Sequence, residues 1–113
     1  MGEISVEEKD NTVIVNISGE ISMTTVNNID NSCRKYINSN LKVLALNFKN
    51  VTFIDSFGIS RIIKQSRIFS GNGTDFVLID LNDNISQIFK IATFDKLFTI
   101  MKKEDFTAKY LNS

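Results

Sequence analysis

Apolar and polar positions alternate at the start of the chain, then shift to a spacing of three to four near residue 26, and this change of period recurs further along. Residues 3–8, EISVEE, alternate and predict a short first strand. EKDN is a polar turn, and Thr12 to Glu20, TVIVNISGE, predicts a second strand rich in β-branched residues. The tight connection makes the pair a hairpin. Val26, Ile29, Cys33 and Ile37 then recur at helical spacing, with Thr24 or Thr25 placed to supply an N-cap oxygen. Lys42 to Phe48, KVLALNF, is nearly continuous in apolar residues, as expected of a strand covered on both faces. A short loop follows it. Ile59, Ile62, Ile63 and Phe69 mark the inner side of a second helix, with Gly71 suited to the left-handed position just past its end.

Asp75 to Asp80 predicts a fourth strand, and Ile85, Ile88, Phe89 and Ala92 a third helix. FTIM reads as a brief fifth strand and EDFTAKYLN as a last short helix. An initial hairpin followed by alternating helices and strands implies an α/β fold: a small mixed sheet flanked by about four helices. No repeat or linker divides the chain, so residues 1–113 are expected to form a single domain.

Composition then removes whole classes of function. The net charge is zero, from 13 basic and 13 acidic residues, so no global field draws the chain to nucleic acid. The single cysteine, Cys33, excludes an internal disulfide, a CxxC redox pair and a cysteine-based zinc cluster. It falls on the buried stripe of the first helix and reads as a small core residue. Histidine is absent, which removes the Ser-His-Asp triad and the commonest transition-metal ligand. The acidic start, MGEISVEEKD, has no signal-peptide core, and no apolar run approaches the length of a membrane span. A cytoplasmic protein without direct membrane insertion is the expectation.

One stretch concentrates unusual chemistry. VTFIDSFGIS, residues 51–60, places Asp55, Ser56, Phe57 and Gly58 at the start of the second helix. Asp55 or Ser56 can serve simply as its cap, contributing about 1 kcal/mol. The same geometry suits modification: a hydroxyl at a helix N-terminus lies where unpaired N–H groups and the positive dipole end converge, so a phosphate on Ser56 would be well accommodated. Phe57 is either ordinary core or an outward aromatic anchor for a partner. Arg61, Lys64 and Arg67 form a stripe on the outer side of the helix, either merely solvated or facing an acidic partner surface. Two other motifs fail. Asp80, Asn82 and Asn84 imitate a calcium loop, but Ile85 stands where glycine is needed and Ile91 where the bidentate glutamate is needed. SGNGTD, residues 70–75, lacks the lysine and spacing of a P-loop.

NISGEIS, ALNFKNVTFIDSFGISRII and FVLIDLNDNISQIFKIATFDKLFTI together resemble a STAS domain, specifically a bacterial anti-sigma factor antagonist, over about residues 4–110. The resemblance implies a STAS-like fold and a binding module rather than an enzyme, with no catalytic residue, metal or cofactor. It implies that Ser56 is the phosphorylated residue. It further implies that the unphosphorylated form binds an anti-sigma factor that is also an ATP-binding serine kinase, releasing a sigma factor. A serine phosphatase would act on the phosphorylated form. Asp55, Phe57, Gly58, Ser60, Arg61 and Lys64 are the residues expected to meet the partner. Three features differ from the family's usual pattern: Phe57 follows the acceptor, Ser22 replaces an aspartate after Gly19, Glu20 and Ile21, and Thr93 and Phe94 stand where a glycine is common. An Asp-Ser-Phe sequence also resembles STAS subunits of large stress-sensing complexes. A scaffold role there or in a membrane transporter is therefore the alternative.

Overall fold

The computed structural model describes residues 3–111; Met1, Gly2, Asn112 and Ser113 lie outside the described residues, and with them the last position of the predicted C-terminal helix. In chain order the elements are β1 (Glu3–Lys9), β2 (Thr12–Ile21), α1 (Val26–Arg34), β3 (Val43–Ile54), α2 (Ser56–Gly71), β4 (Asp75–Ile79) and α3 (Asp83–Ile91). A 3-10 turn (Phe94–Lys96), β5 (Thr99–Met101), α4 (Lys103–Phe106) and a wide helical turn (Thr107–Leu111) complete the described chain. The five strands form one mixed sheet in the order β1-β2-β3-β4-β5. The first pair is antiparallel, as the hairpin pattern predicts, and the other three pairs are parallel.

Alternation along the strands divides the interior in two. Val13, Val15, Leu44, Leu46, Phe48, Phe76 and Leu78 point to the main core, with Ile29, Cys33, Ile62, Phe69, Ile85 and Phe89 supplied by the three long helices. Ile14, Val43, Ala45, Val77 and Ile79 point the other way and are covered by Phe106 of α4. This explains the unbroken apolar run of β3, a strand covered on both faces. Beyond α4, the Tyr110 hydroxyl donates to Asp75 (2.8 Å), and burial, aided by that carboxylate, pushes the phenol up to about 12.

The structure corrects the sequence reading at several points. β3 does not stop at Phe48 but continues to Ile54, because its polar second half still pairs with β2: Ser18 with Asn50, Glu20 with Phe53 and Ile21 with Ile54. Register shifts accompany that pairing, and Gly19, at φ 84°, stands beside one of them. The left-handed residue after α2 is Gly73 (φ 78°), not Gly71, which is the last helical residue. The Gly73 N–H bonds the Ser70 carbonyl and the Thr74 N–H bonds the Phe69 carbonyl, closing a Schellman turn. Thr25 stands at the N-cap of α1 but accepts no helix N–H. Its hydroxyl instead donates to the Glu20 carbonyl (2.8 Å) and accepts from the Ser22 N–H (2.8 Å), fixing the turn out of β2. Ala92, expected on the inner side of α3, is exposed at its C-cap. Asp80 closes the β4 end by accepting the Lys103 N–H, and Asn82 caps α3 through the Ile85 N–H. Neither belongs to a metal-binding cluster among the described residues. No helix of the described residues is long and apolar enough to cross a membrane.

Two outcomes follow. Burial pushes the Cys33 thiol up to about 12, so at about pH 8 the native protein should resist alkylation, with labelling only as fast as the chain opens. Rapid stoichiometric labelling of native protein would contradict the buried position. Thr93 holds φ 60°, a left-handed conformation that costs a β-branched residue roughly 1–2 kcal/mol. Thr93→Gly should therefore raise stability by about 1 kcal/mol in urea denaturation, and a fall would refute strain at this position.

Candidate functional site

The site lies where β2 and β3 end side by side and α2 begins. Asp55 leaves the sheet in an extended conformation (φ −102°, ψ −178°), and its N–H bonds the Ile21 carbonyl at 3.1 Å. Its carboxylate is the N-cap of α2. One oxygen accepts the Gly58 N–H at 2.9 Å, and the other accepts the Met23 N–H at 3.4 Å from the turn after β2. The aspartate is thus a fastener between two main-chain segments. Ser56 is the first helical residue, and its side chain is exposed. The N–H groups of Ser56 and Phe57 are first-turn donors with no carbonyl to meet inside the helix, so the hydroxyl stands in the positive field of the helix end.

Gly58 is buried, and its position permits no side chain. A Cβ there would stand 2.6 Å from the Ile21 carbonyl oxygen and 2.7 Å from the Ile21 side chain. The sequence expectation of close packing at Gly58 is fulfilled, and the surface it packs on is the end of β2. The ring of Phe57, left open by the sequence, turns outward and is 55% exposed. Phe53 at the end of β3 and Met23 in the turn after β2 are exposed as well, at 47% and 61%. Three exposed apolar side chains therefore lie on the segments that meet at this junction, the end of β3, the turn after β2 and the first turn of α2. Sequence reasoning misses Phe53 and Met23. Phe53 lies in the stretch that reads as the loop before α2, and Met23 in a turn, and periodicity gives a direction to neither.

The basic stripe of α2 does not act as one unit. Arg61 is paired with Asp30 of α1, and the same carboxylate accepts the Gln65 side-chain amide at 2.9 Å. Arg61 is therefore half-buried and held between two helices, which the sequence does not indicate because Asp30 lies 31 residues away. Lys64 and Arg67 are not buried and form no ion pair among the described residues. Ser60 is exposed one turn beyond Ser56, on the same side of α2 as Lys64 and Arg67. Ser56, Ser60, Lys64 and Arg67 thus share one side of the helix, and Arg61 turns to another.

The chain as a whole is similar to known proteins. A family model described as STAS domain matches residues 3–106. An anti-sigma factor antagonist from Mycobacterium paratuberculosis superposes with a TM-score of 0.84 at 19% identity, covering 100% of this chain and 96% of that one. The anti-sigma factor antagonist SpoIIAA in its unphosphorylated form gives 0.74 at 16% identity, covering 98% and 100%. The Bacillus cell fate determinant SpoIIAA in its phosphorylated form gives 0.73 at 16% identity, covering 95% and 98%.

The two fastenings at this site have separable costs. Gly58→Ala should destabilise by about 2–3 kcal/mol, because backbone must move to admit the methyl group. Asp55→Ala should cost about 1 kcal/mol, the ordinary value of a lost cap. Urea denaturation of both variants checks this, and a Gly58→Ala variant as stable as wild type would refute the contact with Ile21.

Proposed function

The chain belongs to the STAS domain family, and on that premise we propose that it is an anti-sigma factor antagonist whose binding is gated by phosphorylation of Ser56. In this reading, one STAS domain over residues 1–113 acts in the cytoplasm as a ligand and substrate rather than as an enzyme. Unphosphorylated, it binds an ATP-binding anti-sigma factor that is also a serine kinase, and so releases a sigma factor. A serine phosphatase restores the binding form. The observation that carries the reading is Ser56 itself: an exposed hydroxyl on the first residue of α2, beside the exposed ring of Phe57.

The physical sense of the gate is simple. Phosphorylation adds about −1.5 to −2 charge next to the exposed ring of Phe57. Buried under a partner, that charge would lose its water against apolar side chains. A hundredfold loss of affinity needs only about 2.7 kcal/mol. Asp55, Gly58 and Ser60 shape the surface, Phe57 is its anchor, and Lys64 extends it along α2. Arg61 contributes through its hold on α1.

The test is affinity purification from the source cells with wild type, Ser56→Asp and Phe57→Ala as baits, after melting curves show that all three are folded. Phe57→Ala should shift stability by less than about 0.5 kcal/mol, as an exposed position does. Wild type should recover a small ATP-binding serine kinase that transfers phosphate to Ser56, and both variants should lose it. Recovery of one large assembly or a membrane transporter by wild type and Ser56→Asp alike would replace this reading with a scaffold role.

A further inference from the structure

The surface that begins at Ser56 continues along α2. Between α2 and the segment formed by α3 and the following 3-10 turn lies an open groove of about 590 Å³. Ser56 and Ser60 stand at its head, Ile59, Ile63, Ile88 and Phe94 line it, and Lys64 and Arg67 stand on its α2 side. Among the described residues, Asp55 is the only acidic side chain that reaches it, at its head, and both of its oxygens are already engaged by main-chain N–H groups. Asp95 follows Phe94 in the chain but does not line the groove. The charge of α2 is therefore divided. Asp30 neutralises Arg61 on the α1 side, and on the groove side Lys64 and Arg67 have no ion-pair partner among the described residues.

We propose that this groove is a docking site for an amphipathic helix of a protein partner, one whose apolar stripe is flanked by acidic side chains. The apolar lining suits anchors one helical turn apart, as in other helix-in-groove contacts. Lys64 and Arg67 select the charge of the flank and speed its approach. An acidic flank is required because, among the described residues, no carboxylate free of the main chain faces the groove to favour a basic one. The inference rests on the partner-binding reading of this side of α2 and deepens it by naming the chemistry of the partner segment. Its test leaves Ser56 unchanged, so it can hold or fail whether or not Ser56 is phosphorylated.

The experiment uses the full chain, labelled with nitrogen-15, and two designed helical peptides. Both carry the same leucine stripe, flanked by glutamates in one and by lysines in the other. The glutamate peptide should saturably shift the amides of Ile63, Lys64, Arg67, Ile88 and Phe94. Its affinity should fall at least about tenfold in Lys64→Glu/Arg67→Glu, a loss of about 1.4 kcal/mol, and fall with added salt. Neither substituted residue is buried, so the double variant should keep its fold, which its spectrum reports directly. Equal binding of the lysine peptide, or no shifts in the groove, overturns the proposal. So does sedimentation showing a dimer that seals the groove, or dodecanoate producing the same shifts where the glutamate peptide does not.

Discussion

The site depends on one contact, the face of Gly58 against the Ile21 carbonyl. That carbonyl also accepts the Asp55 N–H, so one oxygen at the end of β2 sets both the exit of the chain from β3 and the depth at which α2 starts. Any side chain at residue 58 would lift the helix off the sheet. Asp55 secures the same junction from the other side by holding the Gly58 and Met23 N–H groups. Ser56 and Phe57 are then presented to solvent by a helix end that has little freedom to move. Their exposure is a consequence of how tightly their neighbours are packed.

The helix that starts there is also asymmetric in charge and in polarity. On its α1 side, Asp30, Arg61 and Gln65 form a polar link through otherwise apolar packing, and the Gln65 side-chain oxygen is buried without a protein partner among the described residues. An unsatisfied buried acceptor costs roughly 1–3 kcal/mol, and the charge-assisted bonds of the same cluster offset a loss of that size. On the opposite side, no such link joins α2 to α3 among the described residues, and a groove remains. The difference traces to sequence. Asp30 faces Arg61 across the α1–α2 contact, while the α3 and turn residues that line the groove, Ile88 and Phe94, carry no carboxylate to meet Lys64 or Arg67.

Much of this is legible in the chain, because the elements are short and their periods differ sharply. The hairpin, the two-sided apolar run of β3 and the buried stripes of α1 and α3 follow from periodicity alone. What periodicity does not reach is set by partners distant in sequence. The second half of β3 has a loop-like composition and is a strand only because β2 offers its main chain. Arg61 reads as a free surface charge until Asp30 is brought beside it. The end of α2 is ambiguous because two glycines, Gly71 and Gly73, compete for the left-handed position, and only the carbonyls of Phe69 and Ser70 decide between them. At the candidate site, the cap and the glycine are readable as types, and the direction of the Phe57 ring is not.

The strand order has a consequence for how the protein comes into being. Each strand pairs with its neighbours in sequence, with no other strand inserted between them. The segments that build the serine junction, β2, β3 and the first turn of α2, all precede β4 in the chain. Each new strand therefore adds to an edge already present, the hairpin by a short turn and each parallel strand only after a longer crossover has closed. A nascent chain emerging N-terminus first can pair the two strands whose ends carry the junction while its last third is still inside the ribosome.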